Sequence, residues 1–220
     1  VKLDPLAGPL WLDVSLWSAD LANLERDIRR LEPFADSFHL DAADGHSVRN
    51  LLFFPDLVAR IRQITSKPLH VHLFATRPMD LAPLFVDAGA DWLTVPLETG
   101  KRVWQVLEWA QGRGCRAGVS LELETPVELV RGLRQRVQHV VMMGTPSGVK
   151  GCGLDERACD RMAEASAYLE GTKVLLLADG GIRQETVPLL RASGAQGIVP
   201  GSLLCGAEDP AAVHEWLKSL

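Results

Sequence analysis

The sequence predicts an α/β fold, a single (β/α)8 TIM barrel in which residues 1–220 form one domain. Three observations carry that prediction. Short apolar or β-branched runs alternate with longer amphipathic stretches along the whole chain, giving eight strand–helix units. One phrase recurs: Ala88-Gly89-Ala90-Asp91-Trp92-Leu93-Thr94-Val95 reads as a helix end, a glycine turn and a strand, and residues 114–119 and 193–199 repeat it. A doubly wound open sheet, the competing fold, would place a glycine-rich dinucleotide turn after its first strand; Ser15-Leu16-Trp17-Ser18-Ala19 is not one.

Taken in order, residues 10–16 read as the first strand. Residues 20–31 then read as a helix, with Leu21, Leu24, Ile28 and Leu31 on one face and Asp20 capping its start. The second strand spans 37–41 and the second helix 56–65; a third strand at 68–74 leads to a helix at 79–87. Strands within the recurring phrases at Trp92–Thr94–Val95, Arg116–Val119 and Ile198–Val199 join others at 137–142 and 173–177. Helical patterns fill 102–111, 126–134, 155–169, 184–191 and 210–217. No linker, low-complexity tract or charge block divides them.

Composition narrows the function. Hydrophobic residues at 47% and charged residues at 23% describe an ordinary globular protein. A net charge of −5 argues against nucleic acid or an anionic membrane as the main partner, while leaving room for a phosphorylated small molecule held by a local set of N–H donors. Cys115, Cys152, Cys159 and Cys205 form no C-x-x-C pair and read as free thiols of a reducing cytoplasm. No apolar run approaches the roughly 18 residues of a membrane span, and no basic-then-apolar leader is present. The expected location is the cytoplasm.

In such barrels chemistry sits at the C-terminal strand ends. The polar residues there are Ser15, His39 with Asp41, His72 and Asp179. His39 and Asp41, two apart on a strand, project to one face. Imidazole with carboxylate suits one divalent metal ion: Zn, Mn, Fe or Co. His70 shares a face with His72, but His72 lies nearer the strand end and is the better ligand, which leaves His70 another duty. Asp41 and Asp44 have a plainer reading as turn caps. Glycine-rich stretches at Asp179-Gly180-Gly181, Pro200-Gly201-Ser202 and residues 144–153 ring the same rim, where this fold usually seats phosphate on backbone N–H groups.

With these residues in place the chain resembles the ribulose-phosphate 3-epimerase family over nearly its whole length. Ser15-Leu16-Trp17-Ser18-Ala19-Asp20 with Leu24 is similar to the family's S-x-L-S-A-D-x-x-x-L. The stretch His39-Leu40-Asp41-Ala42-Ala43-Asp44-Gly45-His46 is similar to H-x-D-x-M-D-G-x, and His70-Val71-His72-Leu73 to D-V-H-L with His70 replacing the Asp. Asp179-Gly180-Gly181-Ile182 matches D-G-G-I, and Gly201-Ser202 matches G-S. The resemblance implies a ribulose-phosphate-binding barrel in which His39, Asp41, His72 and Asp179 ligate the metal. It implies that Ser15, His72 and Met142 contact substrate, and that Gly148, Gly151, Gly180, Gly181, Gly201 and Ser202 hold its phosphate.

The implied reaction is epimerisation at C3 of a ketose phosphate, ribulose 5-phosphate to xylulose 5-phosphate or a related pair, through an enediolate. Asp41 and Asp179 act as base and acid on opposite faces. The expected partner is therefore a small ketose phosphate, with no nucleic acid and no membrane, and the expected assembly a homo-oligomer. Departures lie in the walls. Ala43 and Phe74 stand where the family carries Met, while Met142 matches its third Met. Pro96 replaces a common His, Arg49 a common Pro, and the phosphate loop reads Thr145-Pro146-Ser147-Gly148-Val149-Lys150-Gly151 in place of N-P-G-F-G-G. A decarboxylase or aldolase of the D-x-K-x-x-D type lacks its Lys in Asp41–Asp44. A sugar-phosphate-binding barrel without turnover is the remaining alternative.

Overall fold

The computed structural model describes residues 8–220, so the first seven residues of the predicted domain lie outside the described residues. Eight parallel strands close into a barrel in sequence order: β1 (Trp11–Ser15), β2 (Ser37–Ala43), β3 (Leu69–Phe74), β4 (Trp92–Pro96), β5 (Arg116–Leu121), β6 (His139–Met143), β7 (Leu175–Asp179) and β8 (Gly197–Val199). β1 pairs with both β2 and β8, which closes the ring. The predicted (β/α)8 architecture is the observed one.

Helices α1 (Leu24–Leu31), α2 (Pro55–Ile64), α3 (Pro78–Asp87), α4 (Arg102–Gly112), α5 (Ala158–Leu169), α6 (Val187–Ala192), α7 (Ser202–Cys205) and α8 (Pro210–Lys218) cover the outside. Three begin with Pro at their first position (α2, α3 and α8), where the missing N–H costs nothing and φ is already set. Asp209 caps α8 by accepting from the N–H groups of Ala211 and Ala212.

Two helical expectations change. Residues 20–31 do not form one helix: Leu21–Asn23 is a 3₁₀ turn, Asp20 accepts from Ala22 N–H there, and Leu21 is exposed. Residues 126–134 form a 3₁₀ helix, Val127–Leu133, in place of an α-helix. Its buried residues are Val127, Val130 and Leu133, spaced by three, which is the period at which 3₁₀ side chains eclipse.

Alternation along the strands sorts two interiors. Outward-facing Leu12, Val14, Leu40, Val71, Leu93, Val119 and Val140 pack under the helices as the main core. Burial on both faces explains the near-continuous apolar strands. Inward-facing Trp92, Val141, Met143 and Leu177 form a smaller cluster inside the barrel, with Trp11 and Leu175 against it. Trp11 and Trp92 stack with centroids 5.3 Å apart, His139 stacks on Trp92 at 5.3 Å, and the Arg116 guanidinium lies 4.2 Å over the Trp92 ring. Gly118 on β5 makes room for this column: a Cβ there would collide with the His139 ring. Asp13, Ser15, Ser37, His39, Asp41, His70, His72 and Thr94, at further inward positions of β1–β4, are polar and lead upward to the site.

Candidate active site

Parallel register brings the strand-end residues together. Ser15 lies opposite His39, and Asp41 opposite His72, while Asp179 ends β7. His39 and His72 are fully buried and Asp41 nearly so. His39 Nε2 stands 3.4 Å from Asp41 Oδ1 and 3.8 Å from Asp179 Oδ2. His72 Nδ1 stands 4.0 Å and 3.7 Å from the same two oxygens. Four donor atoms from three strands converge, all within 4.8 Å of one another.

Whether this group suits a metal is tested by its unpaired atoms. His39 Nε2 and His72 Nδ1 are buried without a hydrogen-bond partner, a costly state for a polar atom unless something else takes the lone pair. The opposite nitrogens are both engaged. His39 Nδ1 donates to the Asp13 carboxylate at 2.8 Å, which turns Nε2 into the cluster, and His72 Nε2 lies 2.9 Å from the Ser120 hydroxyl, which turns Nδ1 the same way. Metal–ligand bonds of about 2.0–2.2 Å set neighbouring donors roughly 3–3.6 Å apart; the group is near that spacing and slightly open. Its residues fit a divalent ion.

The surrounding carboxylates favour positive charge at this place. Burial opposes a charge on His39, but Asp41 and Asp13 outweigh it and raise its pKa well above the usual value. Burial likewise opposes ionisation of Asp41, yet His39, then His72, and the Ser15 hydroxyl donating at 3.3 Å hold its carboxyl below the ordinary carboxylate range. Asp44 keeps the plainer duty. Its carboxylate accepts from the N–H groups of His46, Ser47 and Thr76, which outweigh burial and draw its pKa down to about 2.

Above the cluster opens a cavity of about 410 Å³ at the barrel mouth. Ser15, Asp41, Asp179, Gly148, Gly151, Gly180, Gly181, Gly201 and Ser202 all line it. Gly180 is held at φ +85°, and a Cβ there would collide with Thr145 Oγ1, so the backbone can approach only as glycine. Arg183 Nη1 donates to Ser202 Oγ at 3.2 Å. The Lys150 ammonium donates to the Trp17 carbonyl and sits 4.8 Å over the Trp17 ring. Two cations thus border the predicted phosphate rim.

Met142 is the expectation that the structure moves. It faces outward into the helix-packed core, while its neighbour Met143 faces inward and lines the cavity. The period of two makes this a one-residue slip in reading the strand. Phe74 lines the cavity opposite Ala43 across the β2–β3 register, its ring 4.1 Å from that of His72, so an aromatic ring faces a bare methyl. His70 lies one layer deeper, bonded to Asp13 and Thr94. Sequence reading missed Asp13, Thr94, Ser120, His139 and Arg183. A charged or imidazole side chain within an otherwise apolar strand was the only signal the first and fourth offered.

The model of the ribulose-phosphate 3-epimerase family matches residues 11–205. The chain is 34% identical over 199 residues to ribulose-phosphate 3-epimerase of Bacillus subtilis, covering 89% of this chain and 92% of that one. It is 35% identical to the enzyme of the same name from Treponema pallidum, over 86% and 88%. Among solved structures, 3-keto-L-gulonate-6-phosphate decarboxylase of Vibrio cholerae superposes with a TM-score of 0.71 over 96% of this chain and 98% of that one; at 15% identity it shows the fold alone. Sequence motifs, barrel and relatives agree that this chain belongs to the ribulose-phosphate 3-epimerase family and is an epimerase acting on carbohydrates.

Proposed function

We propose that the enzyme inverts C3 of a ketose phosphate, interconverting ribulose 5-phosphate and xylulose 5-phosphate or a closely related pair. The observation that carries this reading is the juxtaposition of two carboxylates, Asp41 and Asp179, in one buried group with two imidazoles whose free nitrogens face them. A proton beside a ketone is weakly acidic. Removing it from one face and returning it to the other takes a base and an acid on different sides of the substrate, the roles read here for Asp41 on β2 and Asp179 on β7.

His39, Asp41, His72 and Asp179 would hold one divalent ion, which when bound supplies positive charge to stabilise the anion formed as the proton leaves. Asp41 takes the proton on one side and Asp179 donates on the other, with the roles exchanged in reverse. The Ser15 hydroxyl, 3.3 Å from Asp41 Oδ2, orients that carboxylate. The N–H groups around Gly180, Gly181, Gly201 and Ser202, with Arg183 and Lys150, take the phosphate. Phe74 and Met143 wall the sugar between these ends and exclude water.

Proton NMR in D₂O with a panel of ketose phosphates tests the reading. Wild-type protein should wash deuterium into C3 of its preferred substrate. Asp41→Asn and Asp179→Asn should each slow that exchange at least ~10²-fold, the lower end of what a positioned acid or base contributes. Full exchange in both variants would remove the two-carboxylate mechanism.

A further inference from the structure

Beneath the four converging residues lies a second polar layer that the proposed reaction does not use. Asp13, Ser37, His70, Thr94 and His139 are all fully buried inside the barrel, and His39 joins them to the group above. Asp13 is its hub. Oδ1 accepts from Ser37 Oγ at 2.6 Å, and Oδ2 accepts from His39 Nδ1 at 2.8 Å and His70 Nδ1 at 2.6 Å. His70 Nε2 meets Thr94 Oγ1 at 2.6 Å, and Thr94 Oγ1 meets His139 Nε2 at 2.6 Å.

Only one arrangement of protons suits neutral rings here. A carboxylate oxygen cannot donate, so both imidazoles must present Nδ1–H to Asp13. Neutral His70 then accepts at Nε2 from the Thr94 hydroxyl, and Thr94 accepts from His139 Nε2–H. Nδ1 of His139 is left as an unpaired acceptor, as observed. The reverse order would set a bare His70 nitrogen against the Asp13 carboxylate at 2.6 Å. The same carboxylate therefore holds a proton on Nδ1 of His39, which leaves Nε2 as the nitrogen open to an ion.

Position 70 sharpens the point. The family motif D-V-H-L begins with a carboxylate there, and this chain has His70. Across the barrel wall, β1 supplies one instead, inside a strand that is otherwise Trp, Leu, Val and Ser. His39 and His70 are register partners on adjacent strands, and both turn to that single group.

We propose that Asp13 is a positioning residue for the catalytic group: its carboxylate, delivered from β1, fixes the tautomer and aim of His39 so that Nε2 meets the divalent ion. Carboxylate partners of ligating histidines typically govern metal affinity by 10- to 100-fold. The inference rests on the metal reading given above, and its test separates the two.

Co²⁺ is titrated into the metal-free full-length protein at one fixed pH, and affinity and visible absorption are read. Asp13→Asn should weaken binding 10- to 100-fold and shift the absorption bands, whereas Thr94→Val, which cuts the same buried network farther along, should stay within about threefold of wild type. The double variant Asp13→Ala/His70→Asp should recover affinity over Asp13→Ala by at least about tenfold, because it returns a carboxylate to the partner of His39. Unchanged affinity in Asp13→Asn, equal loss in Thr94→Val, or no recovery in the double variant would each overturn the assignment. Nitrogen-15 spectra of the Zn²⁺-loaded wild type need no variant: His39 should carry its proton on Nδ1 and the metal on Nε2, and metal on Nδ1 would overturn it too. If wild-type protein binds no Co²⁺, or His39→Ala binds it equally well, the metal reading itself fails.

Discussion

Adjacent methionines on β6 point in opposite directions, and that difference separates stability from turnover at single-residue resolution. Met142 is buried among helix-facing residues, so Met142→Ala should cost about 2–5 kcal/mol of folding stability, the range for buried Met-to-Ala changes. Its KM should be unaffected in protein that folds. Met143 is equally buried by area but lines the cavity, so Met143→Ala should change KM or kcat for the sugar phosphate. Denaturant unfolding paired with steady-state kinetics reads both, and the converse pattern would restore Met142 to the site. At this scale the sequence named His39, Asp41, His72 and Asp179, because each sits at a strand end and four such residues coincide at one mouth. It could not reveal Asp13 or His139. Their partners are 57 and 45 residues away in the chain (His70 for Asp13, Thr94 for His139), and only the strand register shows that the side chains meet.

Among the elements, the 3₁₀ segment Val127–Leu133 is where local sequence and helix expectation part. Its buried residues recur every third position, and Leu129 is left exposed. Leu133→Ala should therefore cost about 2–5 kcal/mol, while Leu129→Ala should fall within about 0.5 kcal/mol of wild type. Urea midpoints of the two variants check this; comparable losses would mean an α-helical segment that buries both. The other helices were legible because their apolar positions follow a period nearer 3.6, and the strands because β-branched runs are bounded by glycine turns. α7 was hidden: four residues after Gly201 carry no periodicity to read. Among the described residues no helix is long and apolar enough to cross a membrane, in line with that patterning.

For the molecule as a whole, a barrel filled with imidazole ties folding to pH. Burial, then the neighbouring His70 and Arg116, hold the pKa of His139 well below its ordinary value of 6.5. The unfolded chain takes up a proton there as pH drops below about 6.5, and the folded chain does not, so this residue's contribution is whole above that pH and is lost as the pH falls. One such proton makes stability slope by about 1.4 kcal/mol per pH unit. His139→Gln should flatten the stability profile of the metal-free protein between pH 6.5 and 5 by about that slope, measured by urea unfolding at each pH. An unchanged slope would mean that His139 is already charged in the fold.

The buried column from Asp13 to His139 also bears on heat. Exposing apolar surface raises the heat capacity of unfolding, whereas exposing polar surface lowers it. A barrel whose inner strands carry Asp, Ser, Thr and His where aliphatic layers usually stack releases less of the first and more of the second. Its stability therefore curves less steeply with temperature than that of an all-aliphatic barrel of the same length, trading height at the optimum for breadth on either side.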